Sequence, residues 1–155
     1  MLVSSPMPSE LDIATLAAEA ATFGSTDGHR WQVEHVPETL RVYVTLTPLG
    51  SVDTYCLRLD FGEAIAPGPP SVTFCDPESH AEGRLTDWPR GLTGYFKTPP
   101  GNGIGWICNP WTREGRAHHA EWQSYGWRPS RAIWTVATAI QDILDKPGAY
   151  TGRAE

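Results

Sequence analysis

Lysine is nearly missing from this chain of 155 residues: Lys97 and Lys146 are the only two, against ten arginines. Basic charge is short overall, with 12 Lys and Arg against 18 Asp and Glu and a formal net charge of -6. A general nucleic-acid binder needs a basic face to neutralise phosphates, so the composition argues against that class of partner. No apolar run approaches the ~20 residues that span a bilayer, which argues against a membrane protein. Met1 to Glu10 carries neither a positive charge nor an apolar core, so no secretory signal is expected. Cysteine is also scarce: three residues, an odd number with no close pairing pattern. That excludes a disulfide framework and predicts free thiols in a reducing cytoplasm. Neither an internal repeat nor a separating linker is visible, and the expectation is one domain over 1–155.

Turn formers, in contrast, are abundant, with 15 glycines and 14 prolines that predict long loops. Hydrophobic residues at 40% and charged residues at 19% make a foldable mixture. Ser9 and Asp12 form a capping-box pattern ahead of a helix over Glu10 to Phe23. Ile13, Leu16, Ala17, Ala20 and Phe23 make its apolar face, and Gly24 is read as its stop. Arg30 to Glu34 reads as a short edge strand. Leu40, Val42, Val44 and Leu46 alternate with polar partners, as do Tyr55, Leu57, Leu59 and Phe61, with a turn at Pro48–Ser51 between. Both have the period of half-buried antiparallel strands. After a Pro/Gly break over 66–70, Ser71 to Phe74 reads as a fourth strand. Residues 76–104 and 109–126 read as irregular, flanking the short apolar stretch Gly105 to Cys108. Last comes a helix over 130–146, capped by Ser130, with Ile133, Val136, Ala137, Ile140, Ile143 and Leu144 on one face and Pro147-Gly148 as its end. Helix, four-strand meander, irregular segment and helix predict an α+β domain with both helices on one sheet face.

Several residues can carry chemistry. Cys108 is either a loop nucleophile or a small buried hydrophobe. Cys56 sits inside an alternating strand and reads as structural, and Cys75 is intermediate. His80, His118 and His119 can exchange protons near neutral pH, or simply pack in loops. Cys75 and His80 with Cys108 and His118 or His119 could make a zinc set, although the spacing matches no standard signature. Of the seven tryptophans, most lie beyond residue 87 and read either as packing residues or as a partner surface. Gly101-Asn102-Gly103 lacks the lysine and helix of a phosphate loop, so nucleotide binding is discounted.

From Tyr55 onward the chain resembles the ubiquitin-conjugating (E2, or UBC) family. Tyr55-x-Leu57-x-Leu59-x-Phe61, Pro69-Pro70 and Val72-x-Phe74 resemble that family's third strand, Pro-Pro turn and fourth strand. His80 falls where its His-Pro-Asn triplet begins. Gly105-Trp106-Ile107-Cys108 resembles the stretch that carries the conjugating cysteine. Trp127-Arg128-Pro129 and Ile140-Gln141-Asp142-Ile143-Leu144-Asp145-Lys146-Pro147 resemble its Trp-x-Pro, next helix and closing proline. Ala81-Glu82 stands where the family has Pro-Asn, and the stretches from His80 to Cys108 and from Cys108 to Trp127 are longer than the family's. The sequence ends soon after Pro147, without the two final helices, as in divergent bacterial members of the type.

The resemblance implies a UBC-like α+β fold and a thioester chemistry that needs no cofactor. The implied partners are an E1-like activating enzyme, a ubiquitin-like protein and a protein acceptor. Cys108 would be the nucleophile. Asn102 or Asn109 would replace the missing asparagine, and His80, His118 or His119 would serve the oxyanion or the attacking amine. The alternatives are a catalytically inactive UBC-like interaction module and the Cys/His metal reading.

Overall fold

The computed structural model describes residues 7–25 and 30–155; the reading of Met1 to Pro6 lies outside the described residues. Alternation does what the sequence pattern predicts. Val42, Val44 and Leu46 of β2 (Arg41–Leu46), Tyr55, Leu57 and Leu59 of β3 (Tyr55–Asp60), and Val72 and Phe74 of β4 (Ser71–Cys75) are all buried on one face. With β1 (Gln32–His35) they form an antiparallel sheet in the order β1-β2-β3-β4. Val44 pairs with Leu57, and Leu57 with Phe74, so the branched side chains stack across strands. The turn between β2 and β3 closes with Ser51 N–H on the Pro48 carbonyl, with Gly50 at φ +77°.

Two helices cover this face. Leu16, Ala20 and Phe23 of α1 (Glu10–Ser25) join one core with Ile133, Val136, Ala137, Ile140 and Leu144 of the last helix, α3 (Ala132–Asp145). The architecture is thus α+β: an N-terminal helix, a four-strand antiparallel sheet and a C-terminal helix.

The helix ends depart from expectation in informative ways. Ser9 Oγ accepts the Asp12 N–H at 3.1 Å, as a cap should. The Asp12 carboxylate instead turns away from the box and accepts the Ile65 N–H. Gly24 does not stop α1, which runs to Ser25. Ser130 does not cap α3 either: it sits in a 3-10 turn, Pro129–Arg131, ahead of the helix. Glu19 of α1 does the capping, its two oxygens taking the Ile133 and Trp134 N–H groups at 2.8 and 2.9 Å.

The segments read as irregular contain short elements. Phe96–Lys97 (β5) and Trp106–Ile107 (β6) form an antiparallel hairpin, and Arg113–His118 is a helix, α2. Phe96 and Ile107 complete the core against Phe74 and Trp88. Elsewhere side chains hold the loops. Arg116 donates to the Pro110 and Tyr125 carbonyls, Arg113 to Phe61, and Trp127 Nε1 to Ile65. No helix among the described residues is long and apolar enough to cross a membrane.

Candidate functional site

Cys108 lies at the open end of the β5–β6 hairpin. Its N–H donates to the Tyr95 carbonyl at 2.7 Å, so the ladder continues one residue beyond β6 and places Tyr95 opposite it. Pairing of Phe96 with Ile107 and of Lys97 with Trp106 sets the faces. Phe96 and Ile107 enter the core; Tyr95, Lys97, Trp106 and Cys108 fall on the other side. The residue Cys108 is only 6% exposed. Burial pushes its thiol above the ordinary value, and the nearby Lys97 ammonium pulls the other way. Lys97 itself donates to the Thr93 carbonyl at 2.7 Å. Lys146 donates to the Tyr95 hydroxyl at 3.3 Å and stands 5.4 Å from its ring. Lys146 is thus held at Tyr95, directly across from the cysteine, while Lys97, two residues further along β5, is held at Thr93.

Beyond Cys108 the chain turns through a tightly built corner. Asn109 Oδ1 accepts the Trp111 N–H, and its backbone carbonyl accepts the Thr112 N–H. The Thr112 hydroxyl donates to the Ile107 carbonyl at 2.6 Å and accepts the Gly115 N–H, capping α2. Gly115 is required there: a Cβ would sit 2.1 Å from the Asn109 carbonyl oxygen. The Cys108–Asn109 backbone rests directly on α2. Asn109 is thus next to the thiol in sequence, but its side-chain oxygen is engaged in the turn.

The other expected site residues lie elsewhere. Asn102 is in the hairpin tip, where its side chain donates to the Thr98 carbonyl; Cys108 is at the opposite end of the same hairpin. His118 meets the Trp106 ring edge-on at 4.8 Å, and His119 lies 4.1 Å from Trp122, its Nδ1 3.3 Å from Glu121. Asn102 and His118 share a cleft of about 550 Å³ with Arg58, Ser71, Trp106 and Glu114. Cys108 is not part of its lining.

His80 belongs to the outer face of the main sheet. Its backbone is left-handed at φ +62°, and its N–H donates to the Asp76 carbonyl. The ring stacks on Tyr43 at 3.6 Å with a 13° interplanar angle, over the patch that Tyr43 forms with Cys56 and Cys75. Asp76 anchors this loop by accepting the Ser79 and Glu78 N–H groups, which hold its carboxyl down at about 2. Arg58 of β3 pairs with Glu82 at 2.7 Å and closes the loop over the sheet.

The Cys/His set weighed as an alternative is not brought together by this geometry. Cys75 and His80 cap the outer sheet face, Cys108 ends the hairpin, and His118 and His119 end α2. Among the described residues no group of three or more His, Cys, Asp or Glu is arranged to hold an ion. Cys56 and Cys75 face each other across β3 and β4 as free, buried thiols.

Lys97, Tyr95 and Lys146 are the neighbours that sequence reasoning missed. The signal for them is the rarity of lysine itself, which does not reveal that Lys97 stands near the thiol or that Lys146 reaches Tyr95. No family model matches the chain, and no curated protein or solved structure matches it significantly.

Proposed function

We propose that this chain is an E2-like conjugating enzyme with a UBC-like fold. It accepts a ubiquitin-like protein from an E1-like enzyme as a thioester on Cys108 and passes it to an amine on a protein acceptor. In the first step the Cys108 thiolate attacks the carbonyl of the donor thioester, and the donor's thiolate leaves. In the second an acceptor amine attacks the Cys108 thioester; the amine loses a proton and the Cys108 thiolate leaves.

The observation that supports this reading is the position of Cys108: an unpaired thiol at a hairpin end with a cation beside it. A thiol of raised pKa is the more nucleophilic once ionised and the poorer leaving group, so its thioester persists long enough to meet an acceptor. Lys97 supplies positive charge where each tetrahedral oxyanion develops, in place of the missing asparagine. In this version of the chemistry Lys97 takes the oxyanion role: Asn102 lies at the hairpin tip, His80 on Tyr43, and His118 and His119 at the end of α2, while Asn109, beside the thiol, commits its side-chain oxygen to the turn.

One observation favours a second reading, the inactive interaction module: Cys108 is only 6% exposed, and among the described residues no base is hydrogen-bonded to its thiol. A single assay separates the two. The protein is incubated with ATP and its cognate E1-like and ubiquitin-like proteins, then run on a non-reducing gel and weighed intact. Conjugation gives an adduct that DTT removes, that Cys108→Ala abolishes, and that Cys56→Ser retains. Cys108→Ser gives at most a slowly turned-over oxyester. An adduct that persists in Cys108→Ala moves the site elsewhere. No adduct in any variant establishes the module.

A further inference from the structure

A different surface carries an inference independent of Cys108. Three tryptophans, Trp111, Trp127 and Trp134, line a groove of about 700 Å³ beside α3. Trp134 is 41% exposed and belongs to the wall of this groove. The groove's rim holds Arg128 and Arg131. Arg128 is extended just ahead of the 3-10 turn Pro129–Arg131 and Arg131 ends it, and both line the groove.

These two guanidiniums are exposed, and neither has an ion pair or hydrogen bond to a partner among the described residues. Arg131 lies flat over Trp134, 4.1 Å from the ring centroid. Stacking occupies the face of the guanidinium and fixes its plane, but leaves the N–H groups at its edge without acceptors. Glu19, the carboxylate whose charge acts on Arg131, already spends both oxygens on the N–H groups of Ile133 and Trp134. Asp142 also lines the groove, but eight residues beyond Trp134 on α3, about 12 Å along the helix. The groove therefore has a cationic end, an indole-lined middle and an acidic far end.

The same Arg131 and Trp134 border a second trough of about 690 Å³, lined also by Ala18, Glu19, Thr22 and Phe23 of α1, where the Glu19 carboxylate is held by the Ile133 and Trp134 N–H groups. Two troughs joined across one exposed indole suit an extended chain better than a compact ligand. A cationic ligand is disfavoured, since Arg116 and Arg131 already stand over two of the indoles. We propose that this surface binds an extended acidic peptide of a partner protein. Its carboxylates pair with Arg128 and Arg131, and a bulky apolar side chain packs beside Trp134.

The test uses the full chain and two synthetic decapeptides, acetylated and amidated. Each has two central phenylalanines, flanked in one by glutamates and in the other by lysines. Binding is followed by tryptophan fluorescence and isothermal titration at low salt. The glutamate peptide should bind with a Kd of roughly 10–100 µM. Raising salt should weaken it, because the ion pairs are exposed. The double reversal Arg128→Glu/Arg131→Glu should weaken binding at least about tenfold, and Trp134→Ala about fivefold. Circular dichroism checks that each variant stays folded. Cys108→Ala should bind as the unaltered chain does. The proposal is overturned if the glutamate peptide shows no saturable binding up to about 1 mM. It is equally overturned if the lysine peptide binds as well, or if the double reversal leaves binding unchanged.

Discussion

The four-stranded sheet and the segment between residues 76 and 131 are built on different physics. In the sheet, backbone groups satisfy one another along β1 to β4, and branched side chains fill one face. In the segment, isolated turns close many carbonyls locally, and side chains take others. Arg116 takes two, Thr73 takes that of Gly105, and Gln123 takes that of Arg116. The first region is held by many interchangeable apolar contacts, the second by a few specific ones. Substitutions in the sheet core should therefore have graded effects. In the segment they should be severe at particular points and slight between them.

The sharpest test is Gly115→Ala. A methyl there meets the Asn109 backbone at 2.1–2.8 Å, and backbone cannot step aside as a side chain can. Unfolding in urea should show a loss of more than about 4 kcal/mol. Gly126→Ala, which meets nothing within 4 Å, should stay within about 0.5 kcal/mol. If Gly115→Ala is as mild as Gly126→Ala, the segment does not depend on point contacts, and the contrast fails.

Next in size is Ile140→Ala, on the sheet side of the comparison. Ile140 is fully buried in the middle of the α3 face. Truncation should cost about 3 kcal/mol, measured the same way, since comparable deletions span about 2–5. A smaller effect is expected of Arg116→Met, which keeps an unbranched apolar side chain and removes the guanidinium that stands over Trp111 and donates twice. Leaving the Pro110 and Tyr125 carbonyls unpaired should cost about 2 kcal/mol.

The smallest effect concerns pH. Burial pushes the Asp145 carboxyl up, but the Arg30 guanidinium, the Leu49 N–H and the Gln141 amide outweigh it and hold its value below normal. A carboxyl whose folded value is depressed stabilises fully above its unfolded value, near 3.9. That contribution is lost as pH falls through the folded value. The Tm of the unaltered chain should therefore drop below about pH 4, and Asp145→Asn should lower Tm at neutral pH while flattening that acid limb. Identical acid limbs in the two proteins would remove Asp145 from the account.

The same contrast explains what is legible in the sequence. β2, β3 and β4 have a clear period of two, and α3 carries six apolar residues at helical spacing, so their existence and facing can be read directly. β5 and β6 have two residues each, too few for any period. α2, Arg-Glu-Gly-Arg-Ala-His, has no apolar face to detect. Its place is set by Thr112 and Gly115, whose roles depend on where the Asn109 backbone passes. Cys108 is recognisable as a loop-end thiol, but its surroundings depend on hairpin register. That register brings up Tyr95 and Lys97 and leaves Asn102 at the far tip. Chemistry groups the histidines together, whereas the fold sets His80 on Tyr43 and His118 and His119 at the end of α2.

Glu19 has a consequence for how the molecule assembles. The first turn of α3 is completed by a carboxylate 114 residues earlier, on a helix that is itself finished only when its apolar face is docked. Helix nucleation is the unfavourable step, and here the groups that would ease it arrive from another element. α3 gains its N-terminal acceptors only once α1 is in place, whereas α1 carries its own cap in Ser9 and draws on α3 for apolar packing. The arrangement converts two marginal helices into one cooperative unit, so the pair should appear and disappear together, with half-docked forms sparsely populated during unfolding.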